Sequence, residues 1–282
     1  MLATLRSLVL SSHPGPTATV TVLAVVLAVG SGLPAWTVVL VGVAFLCGQL
    51  SIGFSNDWVD AARDRAVARA DKPVARGDVS AQTVRTAAWV TAALTVPASF
   101  ALGWQAALAH LVLVASGWAY NLGLKRTAFS VAPFILSFGL LPAVVTLSAD
   151  PPAMAAGWAL AVGGVFGVAI HFTNVLPDLD DDASTGVDGL PHRLGRVPSG
   201  IVAFVALAVA AVLVAVGPVL AGSVESPGVV AIVALVVCVG IAVWGVVLVV
   251  TRPPGRLLFQ LIIVASLVVA AQLALSGTAL TA

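Results

Sequence analysis

Apolar residues run through this chain in blocks long enough to cross a bilayer, which takes about 20 residues of helix each. The blocks cover residues 16–32, 34–56, 82–102, 104–122, 128–148, 155–177, 197–221, 227–250 and 255–276. Gly and Pro punctuate them, with tight turns at Gly32-Leu33-Pro34 and at Gly103. The pattern predicts nine transmembrane helices, and hence an all-α integral membrane protein whose residues 1–282 form a single domain. The first block follows Arg6 and looks superficially like a signal peptide, but the many blocks after it make it the first membrane helix.

Composition agrees. The chain is 60% hydrophobic and 9% charged, against about 25% charged in an ordinary soluble domain. Its mean hydropathy is +1.10, more apolar surface than a soluble core can absorb. No basic face exists outside short loops, so nucleic acid is not an expected partner, and the lipid bilayer is. Cys47 and Cys238 fall inside apolar blocks and read as small buried hydrophobes, without disulfide or zinc spacing.

The charges set an orientation. With the N-terminus in the cytoplasm, all 13 Lys and Arg fall on the cytoplasmic side: Arg6, the 63–85 stretch, Lys125 and Arg126, Arg193 and Arg196, and Arg252 and Arg256. The opposite side carries only Asp150 and Glu225. The expectation is a multi-pass protein of a bacterial cell membrane, with its charged loops inside the cell.

Those loops are also acidic, in two clusters on one ruler. The first reads Asn56-x3-Asp60-x3-Asp64, and the second, "NVLPDLDDD", reads Asn174-x3-Asp178-x3-Asp182. On a helix each step of four advances only about 40°, so each trio shares a face. Each cluster begins where an apolar block ends and leads into a loop with Gly, Pro and a base, at about 57–81 and 178–196. The unit therefore occurs twice, and the two pseudo-repeated halves are placed to face each other across a shared central cavity. Solvated helix caps are the plainer account, but six matched positions in two copies argue against it. Clustered carboxylates repel one another unless a cation sits between them. Hard oxygens at this density suit Mg²⁺ together with a substrate phosphate, and the absence of thiolate and imidazole argues against zinc.

With these residues on the page, the chain resembles the UbiA superfamily of intramembrane prenyltransferases. "NDWVDAARD" fits the family's NDxxDxxxD motif, "DLDDD" its second acidic motif, and "YNLGLKR" at 120–126 its Tyr-to-Lys/Arg stretch; "GVDGLPHRLG" is similar to the segment after the second motif. The resemblance covers the whole chain. It implies an isoprenyl diphosphate donor, held by two Mg²⁺ ions, and transfer of the prenyl group through an allylic carbocation to an acceptor, most readily an aromatic ring. It implies Asp60, Asp64, Asp178 and Asp182 as metal ligands, with Asn56 and Asn174 beside them. Lys125 and Arg126 are implied contacts of the diphosphate, with Lys72, Arg76 and Arg193 closing from the loops. Asp57 is in the motif but about 100° around the helix from Asn56.

Other polar residues are weaker candidates for the substrate pocket. Tyr120, the only tyrosine, lies in the matching stretch; His171 sits one turn before Asn174, and Gln49 occupies a comparable depth on the first motif helix. His110 reads equally as a helix–helix hydrogen bond, Asp180 and Asp181 as solvated residues, and His192 as a loop residue. Pro177 should kink the end of its helix. The chain departs from the family at His13-Pro14, where Arg-Pro is common, at Ala61, where Arg often stands, and at Lys72, where Arg is usual. Three rival readings are a UbiA-type terpene cyclase with no external acceptor, a CDP-alcohol phosphotransferase and a transporter. The second is weakened by the missing Asp-Gly. The third is weakened because the acids lie at helix ends rather than in broken midspan segments.

Overall fold

The computed structural model describes residues 2–67, 69, 72–179, 186–252 and 256–281. The chain forms α1 (Leu2–Ser11), α2 (Pro14–Gly30), α3 (Ala35–Ala66), a single turn α4 (Pro73–Arg76), α5 (Ala81–Phe100), α6 (Trp104–Leu122), α7 (Ala132–Leu147), α8 (Gly157–Val175), the short α9 (Leu190–Leu194), α10 (Arg196–Leu220), α11 (Val229–Thr251) and α12 (Arg256–Leu275). No strand occurs among the described residues. Local signals set the boundaries. Pro stands in the first turn of α2 and of α4, Gly77 closes α4 in the left-handed region, and the Ser80 hydroxyl caps α5 by accepting from the Thr83 amide.

Each of the nine apolar blocks carries a long helix: α2, α3, α5 to α8, and α10 to α12. By length and composition four of the described helices suffice to cross a membrane: α3, α8, α10 and α11. The bent pair α1–α2, with 61° between its halves, adds a fifth.

Three expectations need correction. The helix α1 precedes the first predicted element. Residues 57–66, expected to open a cap loop, instead continue α3 for 32 residues in all; Ala61, Ala62 and Ala66 favour helix, and Arg63 pairs with Asp60 one turn back. The helix of the second motif stops at Val175 and tightens into a 3₁₀ turn over Leu176–Asp178. Pro177 has no N–H to continue the α ladder.

The long helices close into a ring. α2 packs on α3, α3 on α6, α6 on α7, α7 on α8, α8 on α10, α10 on α12, and α12 returns to α2. α5 covers α3 and α6 from outside, and α11 covers α10 and α12. In lipid there is no hydrophobic drive between helices, so close approach over small residues holds such a ring. On α8 a Cβ at Gly163 would collide with the Phe138 carbonyl of α7, and one at Gly167 with that of Phe134. On α3 a Cβ at Gly53 would collide with the Ser12 carbonyl at the α1–α2 corner. Outside the ring, Trp58, Trp89 and Trp118 pack together from α3, α5 and α6, and the Arg85 guanidinium lies 5.5 Å from the Trp58 ring centre.

Candidate active site

Because α3 runs unbroken past its apolar block, Asn56, Asp60 and Asp64 lie on successive turns of one helix, as their spacing predicts. Asp60 and Asp64 are each 2% exposed. Burial at that level requires countercharge, and two cations supply it. Lys125 Nζ lies 2.6 and 2.5 Å from the two Asp60 oxygens. Arg63 lies 3.3 Å from Asp60 and 3.2 Å from Asp64. Lys125 stands in a 3₁₀ turn, Leu124–Arg126, directly after α6, and is itself buried. Burial pulls its ammonium below the usual lysine range, and the Asp60 carboxylate opposes that pull.

Asp57, 100° around the helix, belongs to a second cluster. Lys72 Nζ lies 2.6 Å from its Oδ1, His13 Nε2 lies 2.8 Å from the same oxygen, and Lys72 and His13 are 3.0 Å apart. Asp57 Oδ2 is buried with no hydrogen-bond partner among the described residues. His13 reaches this position from a left-handed backbone, φ 52°, at the α1–α2 corner, a conformation uncommon for a non-glycine residue. Asn56 donates to Asn121 at 3.1 Å, and the Asn121 amide donates back to Ile52 O and Ser55 Oγ at 2.9 and 2.8 Å, fastening the end of α6 to α3.

The second motif is placed less regularly. Asn174 is exposed at the end of α8. The 3₁₀ turn interrupts the helix before Asp178, so the four-residue ruler does not run along one continuous face there. The Asp178 side chain lies outside the described residues, as do Asp180, Asp181 and Asp182. Among the described residues no three acidic, His or Cys side chains group as a metal cage. Arg126 is exposed. Arg76 and Arg193 are also exposed and pair locally with Asp78 and Asp188, at 2.6 and 3.0 Å, rather than with the first motif's carboxylates.

Below the acids lies a half-open cleft with a cavity of about 110 Å³, lined by Val20 of α2, Gln49 and Ile52 of α3, Leu113, Gly117 and Tyr120 of α6, and Pro133, Phe134, Ser137, Phe138 and Leu141 of α7. Gln49, Ile52, Asn56 and Asp60 follow one another at steps of three or four, so the acidic face of α3 continues its cleft-lining face. Likewise α6 lines the cleft through Tyr120 and then delivers Lys125. Tyr120 meets Phe134 edge-on, with ring centres 5.1 Å apart. Gln49 and Tyr120 thus stand on the wall, as expected from sequence. His171 does not line it: wholly buried, it packs against Phe134 and Tyr120 from behind, at 4.8 and 5.9 Å, and its Nε2 lies 3.0 Å from Ser130 Oγ. Ser130 also accepts the Leu190 amide at 2.9 Å, tying α9 to the wall. A second, much smaller space, of about 20 Å³ between α2, α7, α8 and α12, shares Phe138 and Leu141 with the first. His110 takes its structural role, a 2.7 Å hydrogen bond from α6 to Ser99 of α5.

Sequence reading missed Asn121, Ser130, Arg63 as a bridging cation, and His13 as a partner of Asp57. Asn121 had a signal, since it lies within "YNLGLKR"; Ser130 had none. Chemically, the site sets hard carboxylate oxygens and fixed cations at the mouth of a largely apolar cleft with three aromatic side chains in its wall. Such a site suits an anionic head joined to an apolar tail.

The chain resembles in fold a UbiA homolog from Archaeoglobus fulgidus bound to GPP and Mg²⁺, with a TM-score of 0.69 at 15% identity over 96% of this chain and 99% of that one. It resembles the apo UbiA homolog from Aeropyrum pernix K1, with a TM-score of 0.68 at 18% identity over 91% and 96%. It also resembles a digeranylgeranylglyceryl phosphate synthase, with a TM-score of 0.66 at 14% identity over 99% of each chain. A search of curated proteins gives no significant match. Residues 17–276 match the sequence profile of the UbiA prenyltransferase family, and the chain belongs to that family.

Proposed function

We propose that the protein transfers a prenyl group, within the membrane, from an isoprenyl diphosphate to an aromatic acceptor, and that it does so as nine transmembrane helices with the motif loops in the cytoplasm. The observation that carries this reading is the continuity of α3, whose cleft-lining face becomes a face of buried carboxylates flanked by Lys125 and Arg63. The solved A. fulgidus homologue bound to GPP and Mg²⁺ supports the choice of head and tail.

The residues fit divalent cations: Asp60 and Asp64 are hard oxygen donors one turn apart, and the nearby Asp57 keeps a buried oxygen without a partner among the described residues. Asp60 and Asp64, with Asn56, would hold one Mg²⁺, and Asp178 and Asp182, with Asn174, a second. When bound, the ions neutralise the diphosphate and make it a better leaving group. Lys125 donates to a diphosphate oxygen as charge grows there. Lys72, Arg76, Arg126 and Arg193 add cationic contacts from the loops, and Asp57 sets the position of Lys72. The allylic C–O bond breaks, and its electron pair leaves with the diphosphate. Tyr120, Phe134 and Phe138 exclude water and face the cation with their π-systems. A ring carbon of the acceptor, beside Gln49 or the His171-backed wall, forms the new C–C bond and then gives its proton to the released diphosphate.

The test is purified protein in detergent with Mg²⁺ and prenyl diphosphates, with and without aromatic acceptors. Asp60→Asn and Asp178→Asn should each lose at least a hundredfold in turnover while the protein stays folded. Near wild-type turnover in either variant across Mg²⁺ concentrations would sink the two-motif reading. A cyclic hydrocarbon or alcohol formed without acceptor would replace transfer by cyclisation.

A further inference from the structure

Lys125 has little local support. Its 3₁₀ turn is three residues long, and 3₁₀ hydrogen bonds are poorer than those of an α-helix. Yet its ammonium is held on Asp60, a carboxylate of another helix. The support comes from the segment that follows the second motif. A Cβ at Gly189 would lie 2.7 Å from the Lys125 carbonyl oxygen and 2.9 Å from Ser130 Oγ, so the segment seats on the Lys125 turn only because residue 189 is glycine. The backbone there has φ −72°, which suits any residue, so the close approach alone calls for glycine. One hydroxyl holds the segment down. Ser130 Oγ accepts the Leu190 amide at 2.9 Å and lies 3.0 Å from His171 Nε2. Ser130 and His171 are both buried, so neither can turn to water instead. On the other side, Ser199 Oγ of α10 donates to the Pro191 carbonyl at 3.0 Å.

We infer that Ser130 is a positioning residue for Lys125: it pins the segment after the second motif, seats Gly189 on the Lys125 carbonyl, and so keeps the Lys125 ammonium on Asp60. The turn that serves the first motif and the loop that leaves the second are then set by one junction, where the α6–α7 connection, α8 and α9 meet at a single hydroxyl. The kinetic consequence rests on the reading of this site as a prenyltransferase, and the structural one, a held Lys125, does not. Replacing Ser130 by Ala strands the Leu190 amide and the His171 ring nitrogen in the interior. The segment must lift to recover a partner for them, and the Lys125 carbonyl loses its seat.

Lys72 and Lys125 are the only lysines in the sequence, and each is paired with a carboxylate of α3, so Lys72 serves as an internal reference. The experiment follows reductive methylation of the full chain in detergent, with the rate at each lysine read by mass spectrometry. Steady-state diphosphate release with Mg²⁺, prenyl diphosphates and aromatic acceptors is measured alongside. Ser130→Ala should speed methylation of Lys125 by about fivefold, the worth of one hydrogen bond, and leave Lys72 unchanged. Gly189→Ala should do the same through the contact alone, and it serves if Ser130→Ala does not fold. Ser148→Ala removes a hydroxyl from the far end of α7 and should alter neither rate. Ser130→Ala should also lower kcat by about tenfold with KM for the donor within about twofold, because Lys125 acts as charge grows on the leaving group. In a Lys125→Gln background it should cost nothing further, since the side chain it positions is gone. An unchanged Lys125 rate in both variants overturns the inference. So does an equal rise at Lys72, or an undiminished loss of kcat in the Lys125→Gln background. All three leave the prenyltransferase reading standing. No Mg²⁺-dependent diphosphate release from any donor by the wild type overturns that reading, and the methylation rates then decide by themselves whether Ser130 holds Lys125.

Discussion

Asp57 and Asp60 are three positions apart on one helix, yet they are neutralised by different parts of the chain. Asp60 takes Lys125 from the turn after α6, and Asp57 takes Lys72 from the start of α4 and His13 from the α1–α2 corner. The difference predicts different phenotypes. Lys125→Gln removes the cation that Asp60 holds and, on the proposed function, should lower kcat/KM by about a hundredfold, read from steady-state kinetics, with little change in elution from a sizing column. Lys72→Met strands a buried carboxylate and should cost about 2 kcal/mol of stability, discounted because Lys72 retains some contact with water. Combining it with Asp57→Asn should recover at least half of that loss in thermal unfolding, since the uncompensated charge is then gone. At this scale the sequence displayed the anions, because carboxylates in an apolar chain stand out and their spacing is local. It did not display which cation answers which acid. Lys125 is sixty-five residues from Asp60, His13 forty-four from Asp57, and only the packing of α6 and of the corner joins them.

The helices show a similar division. The apolar blocks located the long helices, since a bilayer-length run of Val, Leu and Ala has few alternatives to helix. Where a helix ends in charged sequence, the blocks were silent. α3 continues through Ala66 because its charged turns carry Ala and an Asp–Arg pair, whereas α8 stops early because Pro177 interrupts its ladder. The contacts between helices were equally hidden, since glycines that mark a close approach look the same in sequence as glycines that mark a turn. Two substitutions test the distinction. Gly53→Ala places a methyl group on the Ser12 carbonyl and should destabilise by about 1–3 kcal/mol, since backbone on both sides leaves nothing flexible to move. Gly240→Ala, on α11 where a Cβ meets nothing, should leave the melting temperature unchanged or raise it slightly. A melting temperature for Gly53→Ala equal to wild type would mean that the α1–α2 corner does not sit on α3.

For the molecule as a whole, the site is a junction of the ring rather than a property of any one helix. Its first-motif acids come from α3, its lysines from the residue before α4 and from the α6–α7 turn, and its walls from α2, α3, α6 and α7. Ligands that span these elements should stabilise all of them together. Mg²⁺ with a saturating prenyl diphosphate should raise the unfolding free energy by about 3 kcal/mol at a hundredfold excess over Kd, and a chelator should abolish the gain. Mg²⁺ alone should give a smaller shift. The ring closes where α12 meets α2: Gly30 lies against the Ala274 backbone, and the Leu280 carbonyl accepts the amide of Ala156 from the α7–α8 connection at 2.6 Å. α12 follows every other long helix in the chain. While the protein is being made and inserted, the bundle is therefore an open arc: the cleft below the acids is walled by α2, α3, α6 and α7 alone, but the space beside it is completed only when Val269 and Leu273 arrive on α12. The catalytic half of the bundle can therefore form before the ring closes, and α12 serves to lock an assembly whose acids and cleft walls are already in place.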